Sequence, residues 1–103
     1  MNDSLDIFKV NLIVEGINPE SDPDALENFV YELSMRHHIY NVSVSWVDEH
    51  KKGLAVSLET EGIGSYLTSE SMADELLAVS SAVLRKIDVI HIYITGVEVV
   101  NSI

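Results

Sequence analysis

The 103-residue sequence contains no cysteine. A chain without cysteine has no disulfide, no thiolate nucleophile and no cysteine-ligated zinc or iron–sulfur site. The sequence also lacks an apolar run of about 20 residues, the length that spans a bilayer. Its opening stretch, MNDSLDIFKV, has neither the basic nor the apolar part of a signal peptide. We therefore expect a cytoplasmic protein, and we predict no cofactor.

Basic residues are few. Six lysines and arginines stand against 17 aspartates and glutamates, which gives a formal net charge of -11 at pH 7. Such a field repels phosphate backbones and anionic lipid head groups, so we expect neither nucleic acid nor a membrane as a partner. The partner classes that remain are a basic or apolar protein surface and a second copy of this chain.

One stretch, Lys51–Glu59, resembles a strand of the RNA-binding domains through its lysine, glycine and alanine. In that family, exposed aromatic side chains of this strand stack on bases. Leu54 and Val56 occupy the positions of those aromatics. Without aromatic rings to stack on bases, the resemblance does not predict nucleic-acid binding.

The chain is long enough for one domain, residues 1–103. Three segments alternate apolar with polar residues, the period of a half-buried strand: Phe8–Val14, Tyr40–Trp46 and Leu54–Leu58. A fourth segment, Val89–Val99, is rich in β-branched residues and also predicts a strand.

Two segments between these strands have the spacing of a helix. The first is predicted to begin with Asp22 as its cap and Pro23 at its first position. The second is predicted to take its cap from Thr68–Ser71. The apolar stripes are Leu26, Phe29, Val30 and Leu33 on the first helix, and Met72, Leu76, Val79, Val83 and Ile87 on the second.

The element order β-α-β-β-α-β, with two right-handed crossovers, predicts a four-stranded antiparallel sheet in the order 4-1-3-2. Both helices then cover one face, which is a ferredoxin-like sandwich of the α+β class. The other face stays open, and strand parity places Lys9 and His91 on it. We predict that its apolar members and one tyrosine form an interface: Ile7, Ile13, Val89, Tyr93 and Val97.

Two non-catalytic hypotheses follow. In the first, which we favour, the protein acts by protein–protein interaction and self-association through the open face or the fourth strand, an unprotected edge. In the second, it is a small-ligand-sensing regulatory domain of ACT-like architecture. Its ligand would bind at the loop after the first strand, on Gly16, Asn18 and Asp22, with backbone amides as the main donors.

A third hypothesis is a cofactor-free dimeric enzyme that uses the open face. His91 would be the general base, Tyr93 a proton donor and Lys9 an electrostatic support. We predict no metal site, because adjacent residues of a hairpin such as Asp48–His50 rarely converge on one ion.

Overall fold

The computed structural model describes residues 6–47, 53–85, 87 and 89–101. Six elements follow one another: β1 (Asp6–Glu15), α1 (Ala25–Ser34), β2 (Ile39–Trp46), β3 (Gly53–Gly62), α2 (Ser65–Val83) and β4 (His91–Asn101). The strands form one antiparallel sheet in the order β2-β3-β1-β4. This is the predicted order read from the opposite edge, so the α+β sheet with two helices is confirmed. The hairpin predicted after Trp46 lies outside the described residues.

One hydrophobic core fills the space between the sheet and the helices. Every second residue of β1 from Phe8 to Val14 is buried, and Leu54, Val56 and Leu58 of β3 are buried in the same way. The helices add Ala25, Phe29 and Leu33 from α1, and Met72, Leu76 and Val79 from α2. Because both helices share this core, they cover the same face of the sheet, and we call the opposite side the open face. In the described part of the chain, neither helix combines the length and the apolarity that crossing a membrane requires.

Both helix starts differ from the prediction. α1 begins at Ala25 with Asp24 in the cap position, and the Asp22 carbonyl instead accepts the Ala25 amide at 3.1 Å, as part of a turn before the helix. α2 begins at Ser65, so the predicted cap residues Thr68–Ser71 lie inside it. The helix ends at Val83, which leaves Ile87 beyond it and exposed.

A bulge in β4 reverses part of the predicted face assignment. The pairing of β4 with β1 slips by one residue at Thr95. One extra residue turns the following side chains over, as far as a second shift at Val100, between the pairs Phe8–Val99 and Ile7–Asn101. Val97 therefore pairs with the buried Val10 and packs against the core, while Glu98 lies opposite Lys9 on the open face. The prediction that Val97 lies on the open face is wrong.

A second irregularity lies in β2. Asn41 has a φ of 51°, and regular pairing with β3 is interrupted between Tyr40 and Ser43. Tyr40 pairs with Glu59, on the open face, and is exposed. The alternation in the sequence placed Tyr40 on the same side as Val44, and this interruption is the reason that it is not.

A charged cluster joins the end of α1 to α2. Arg36 donates from Nε to Glu75 Oε2 and from Nη1 to the Glu32 carbonyl oxygen at 2.6 Å. His38 Nε2 lies 3.6 Å from the other oxygen of Glu75. The hydrogen bond that Arg36 donates to Glu75 raises the pKa of Arg36. The side chains of Arg36 and Glu75 are 25% and 24% exposed, so water screens their interaction less than it would at an open surface.

We expect Glu75→Ala to lower the free energy of unfolding by about 1–2 kcal/mol, because it leaves a half-buried guanidinium with one fewer acceptor. Urea denaturation of E75A, R36A and the double variant measures the coupling, which should be about 1 kcal/mol. Asp74→Ala, one residue away and exposed, is the control and should change stability by less than about 0.5 kcal/mol. Losses that simply add would show that the pair contributes nothing of its own.

Candidate functional site

The outer edge of β4 is the first candidate site. In the described part of the chain, β4 pairs only with β1, so its other side has unpaired backbone donors and acceptors. Its 11 residues include one charge, Glu98, and no proline. Its side chains are exposed on both faces, with 49% of Tyr93, 51% of Val99 and 47% of Val100 accessible. Proteins usually protect an edge with charges, prolines or a short strand.

The other edge of the sheet is different. β2 has eight residues, three fewer than β4, and its pairing with β3 is interrupted near Asn41. Its exposed positions include the polar residues Asn41, Ser43 and Ser45. β4 is therefore the longer and more apolar of the two edges.

The open face beside β4 carries an aromatic and acidic cluster. His91 pairs with Glu15, and the His91 and Tyr93 rings stack with centroids 6.4 Å apart. The Tyr93 hydroxyl donates to Glu15 Oε1 at 3.1 Å, and this hydrogen bond raises the pKa of Tyr93. A shallow groove of about 260 Å³ lies next to it, lined by Ile13, Glu15, Val47, Tyr93 and Thr95.

Lys9 does not join this cluster. It pairs with Glu59 of β3 and Glu98 of β4, six residues along β1 from Glu15, which is about 20 Å at ~3.3 Å per residue. His91 is exposed in the single chain, and the enzyme hypothesis relied on a second sheet to bury it. The structure therefore brings His91 and Tyr93 together and leaves Lys9 apart from them.

The half of the open face beside β2 is also acidic. The Tyr40 hydroxyl donates to Glu61 Oε2 at 3.2 Å, and Asn41 Nδ2 donates to Glu59 Oε1 at 2.9 Å. Sequence alternation missed Tyr40 here because it did not anticipate the irregularity in β2. Among the described residues, no group of histidines and carboxylates could hold a metal ion.

The second candidate site is a cavity of about 480 Å³ beside the loop between β1 and α1. It is lined by Gly16, Asn18, Glu20, Ser21, Asp22, Arg85 and Val89. The three residues predicted as ligand contacts are thus brought together. Arg85 and Val89 were not predicted to contact a ligand, because they come from the connection between α2 and β4, more than 60 positions along the chain from Asp22.

The loop uses its own backbone amides. The Glu20 amide donates to Asn18 Oδ1 at 2.9 Å, and the Ser21 and Asp22 amides donate to the Asn18 carbonyl oxygen at 3.1 and 2.9 Å. The expectation that amides would be the main donors to a ligand is therefore wrong for these three.

The predicted interface residues fall in three places. Ile7 and Ile13 are half-buried on the open face, and Tyr93 is exposed there. Val89 lies in the turn before β4, at the cavity, and Val97 packs against the core. The chain matches no known family model, no curated protein and no solved structure, so these two sites are interpreted from their own geometry.

Proposed function

We propose that this protein acts by self-association, in which β4 of one copy pairs antiparallel with β4 of a second copy and extends the sheet. The exposed, almost uncharged edge of β4 is the observation that carries the proposal. Antiparallel pairing satisfies the backbone groups of both edges at once and buries Tyr93, Val99 and Val100 against the partner copy.

The choice of a second copy rests on symmetry and charge. An antiparallel pair of identical strands is self-complementary under a two-fold axis, the commonest symmetry of soluble oligomers. Two chains of charge -11 repel each other, but salt limits that repulsion to about 8–10 Å. β4 itself contributes only Glu98 to the contact, and Glu15 of the neighbouring strand accepts a hydrogen bond from Tyr93.

The same proposal includes a ferredoxin-like fold. The element order, the sheet order β2-β3-β1-β4 and the shared core of both helices support it. In such a fold β4 is an edge strand whose core side is only partly covered, which accords with the exposure of Val99.

Val100→Glu should weaken self-association at least about tenfold, because it places one carboxylate per copy at the contact. Leu77→Glu is the matched control: Leu77 lies on α2, is also 47% exposed, and receives the same charge. Sedimentation equilibrium at high micromolar concentration measures both. A wild-type protein that stays strictly monomeric, or a loss of association in L77E equal to that in V100E, would contradict the proposal.

A further inference from the structure

The cavity beside the loop between β1 and α1 has charges of both signs. Glu20 and Asp22 supply two carboxylates, and Arg85 supplies a guanidinium from the opposite connection. Within the described residues, none of these three side chains makes an ion pair or a hydrogen bond. Each charge is therefore available to a bound molecule.

The backbone around the cavity is held in place before any ligand binds. Gly16 has a φ of +101°, and a Cβ there would lie 2.3 Å from the Val89 carbonyl oxygen, so the two connections touch through their main chains. Ile17, next along the loop, is 1% exposed and belongs to the core. The three amides bonded to Asn18 fix the rest of the loop. A preformed wall reduces the ordering cost of binding.

We propose that this cavity binds a basic α-amino acid, a small molecule with one carboxylate and two cationic groups. Arg85 pairs with the carboxylate, because a guanidinium is suited to bidentate recognition of that group. Glu20 and Asp22 accept the two cations. The volume of about 480 Å³ lies within the roughly 300–1,000 Å³ of small-molecule sites.

Charge selects this class over neutral and acidic amino acids. The described lining residues carry two negative side chains and one positive, so a ligand of net charge +1 pairs all three. A neutral amino acid has one ammonium group and leaves a carboxylate of the lining without a partner. The net charge of -11 also draws a cationic ligand towards the protein. This inference is independent of self-association through β4.

Isothermal titration with three related molecules tests the assignment. L-Lysine carries all three charged groups, norleucine lacks the side-chain amine, and cadaverine lacks the carboxylate. We expect L-lysine to bind at least about tenfold more tightly than either of the others, because each missing group removes one charge pair. Cadaverine binding as tightly as L-lysine, or no L-lysine binding at millimolar concentration, would overturn the proposal.

Variants identify the partner of each group. Arg85→Gln should weaken L-lysine binding at least about tenfold and leave cadaverine binding unchanged, whereas Asp22→Asn should weaken both. Lys9→Gln is the control, since it removes the same charge from the open face, away from the cavity. Arg85 is exposed and its loss should not affect folding. Equal L-lysine affinity in R85Q and the wild type, or equal weakening in K9Q and R85Q, would overturn the role of Arg85.

Discussion

Replacing Gly16 with alanine should lower the free energy of unfolding by about 4 kcal/mol. An L-residue at a φ of +101° costs about 1–3 kcal/mol in backbone strain. The new methyl group would also meet the Val89 carbonyl oxygen at 2.3 Å, and relieving that contact requires one of the two connections to move, at a further cost of about 1–3 kcal/mol. Urea denaturation of G16A measures the sum.

Gly64→Ala measures the backbone strain of a positive φ without the steric contact that a Cβ at Gly16 makes. Gly64 also has a positive φ, +76°, but a Cβ at this position has no atom within 4 Å. We expect G64A to lose only the strain part, about 2 kcal/mol. Equal losses in the two variants would mean that the main chains at Gly16 and Val89 do not touch, and the preformed cavity wall would then be wrong.

Replacing Val97 with aspartate should cost about 3 kcal/mol of unfolding free energy. Val97 pairs with Val10, which is fully buried, and packs against the core. A carboxylate at this position loses apolar contact and is brought towards an environment with few hydrogen-bond partners. Aspartate is too short to extend its charge back into water.

Thr95→Asp is the control because it lies two residues earlier on the same strand and is exposed on the open face. It loses the hydrogen bond from the Thr95 hydroxyl to the Asn11 carbonyl oxygen, 3.1 Å long, and should cost about 1 kcal/mol. If V97D is no more destabilising than T95D, the bulge does not turn Val97 towards the core.

The strands and helices were largely predictable, because apolar residues alternate with polar ones where alternate side chains are buried. β1 and β3 are central strands with one covered face, and their apolar residues have the predicted orientation without exception. The edge strands are less constrained. The irregularities at Thr95 and Asn41 each shift the alternation by one residue. Assigning alternate residues to opposite faces assumes regular pairing along the whole strand, so it does not predict them.

The candidate site was predictable in part. Gly16, Asn18 and Asp22 are close in sequence, and loop length alone indicated that they could contact a ligand. Arg85 joins them only because the sheet order places the connection before β4 beside the end of β1. The hydrogen bonds that Asn18 accepts from the amides of Glu20, Ser21 and Asp22 were not predicted, and they leave these three amides without a free N–H for a ligand.

The central claim is that β4 pairs with β4 of a second copy, and disulfide trapping tests it most directly. The chain has no cysteine, so a single cysteine at each exposed position of β4 in turn (His91, Tyr93, Ile94, Thr95, Glu98, Val99 and Val100) reports only on that position. Ser43 and Ser45 on the edge strand β2 are the controls.

In an antiparallel two-fold pair, the residue at the axis meets its own copy with Cα atoms about 5.5 Å apart, within reach of a disulfide. We predict that one β4 position forms disulfide dimers much faster than the others, and that the scan, which covers both sides of the bulge, identifies the axis. No β4 position above the rate of the Ser43 and Ser45 controls would contradict the account.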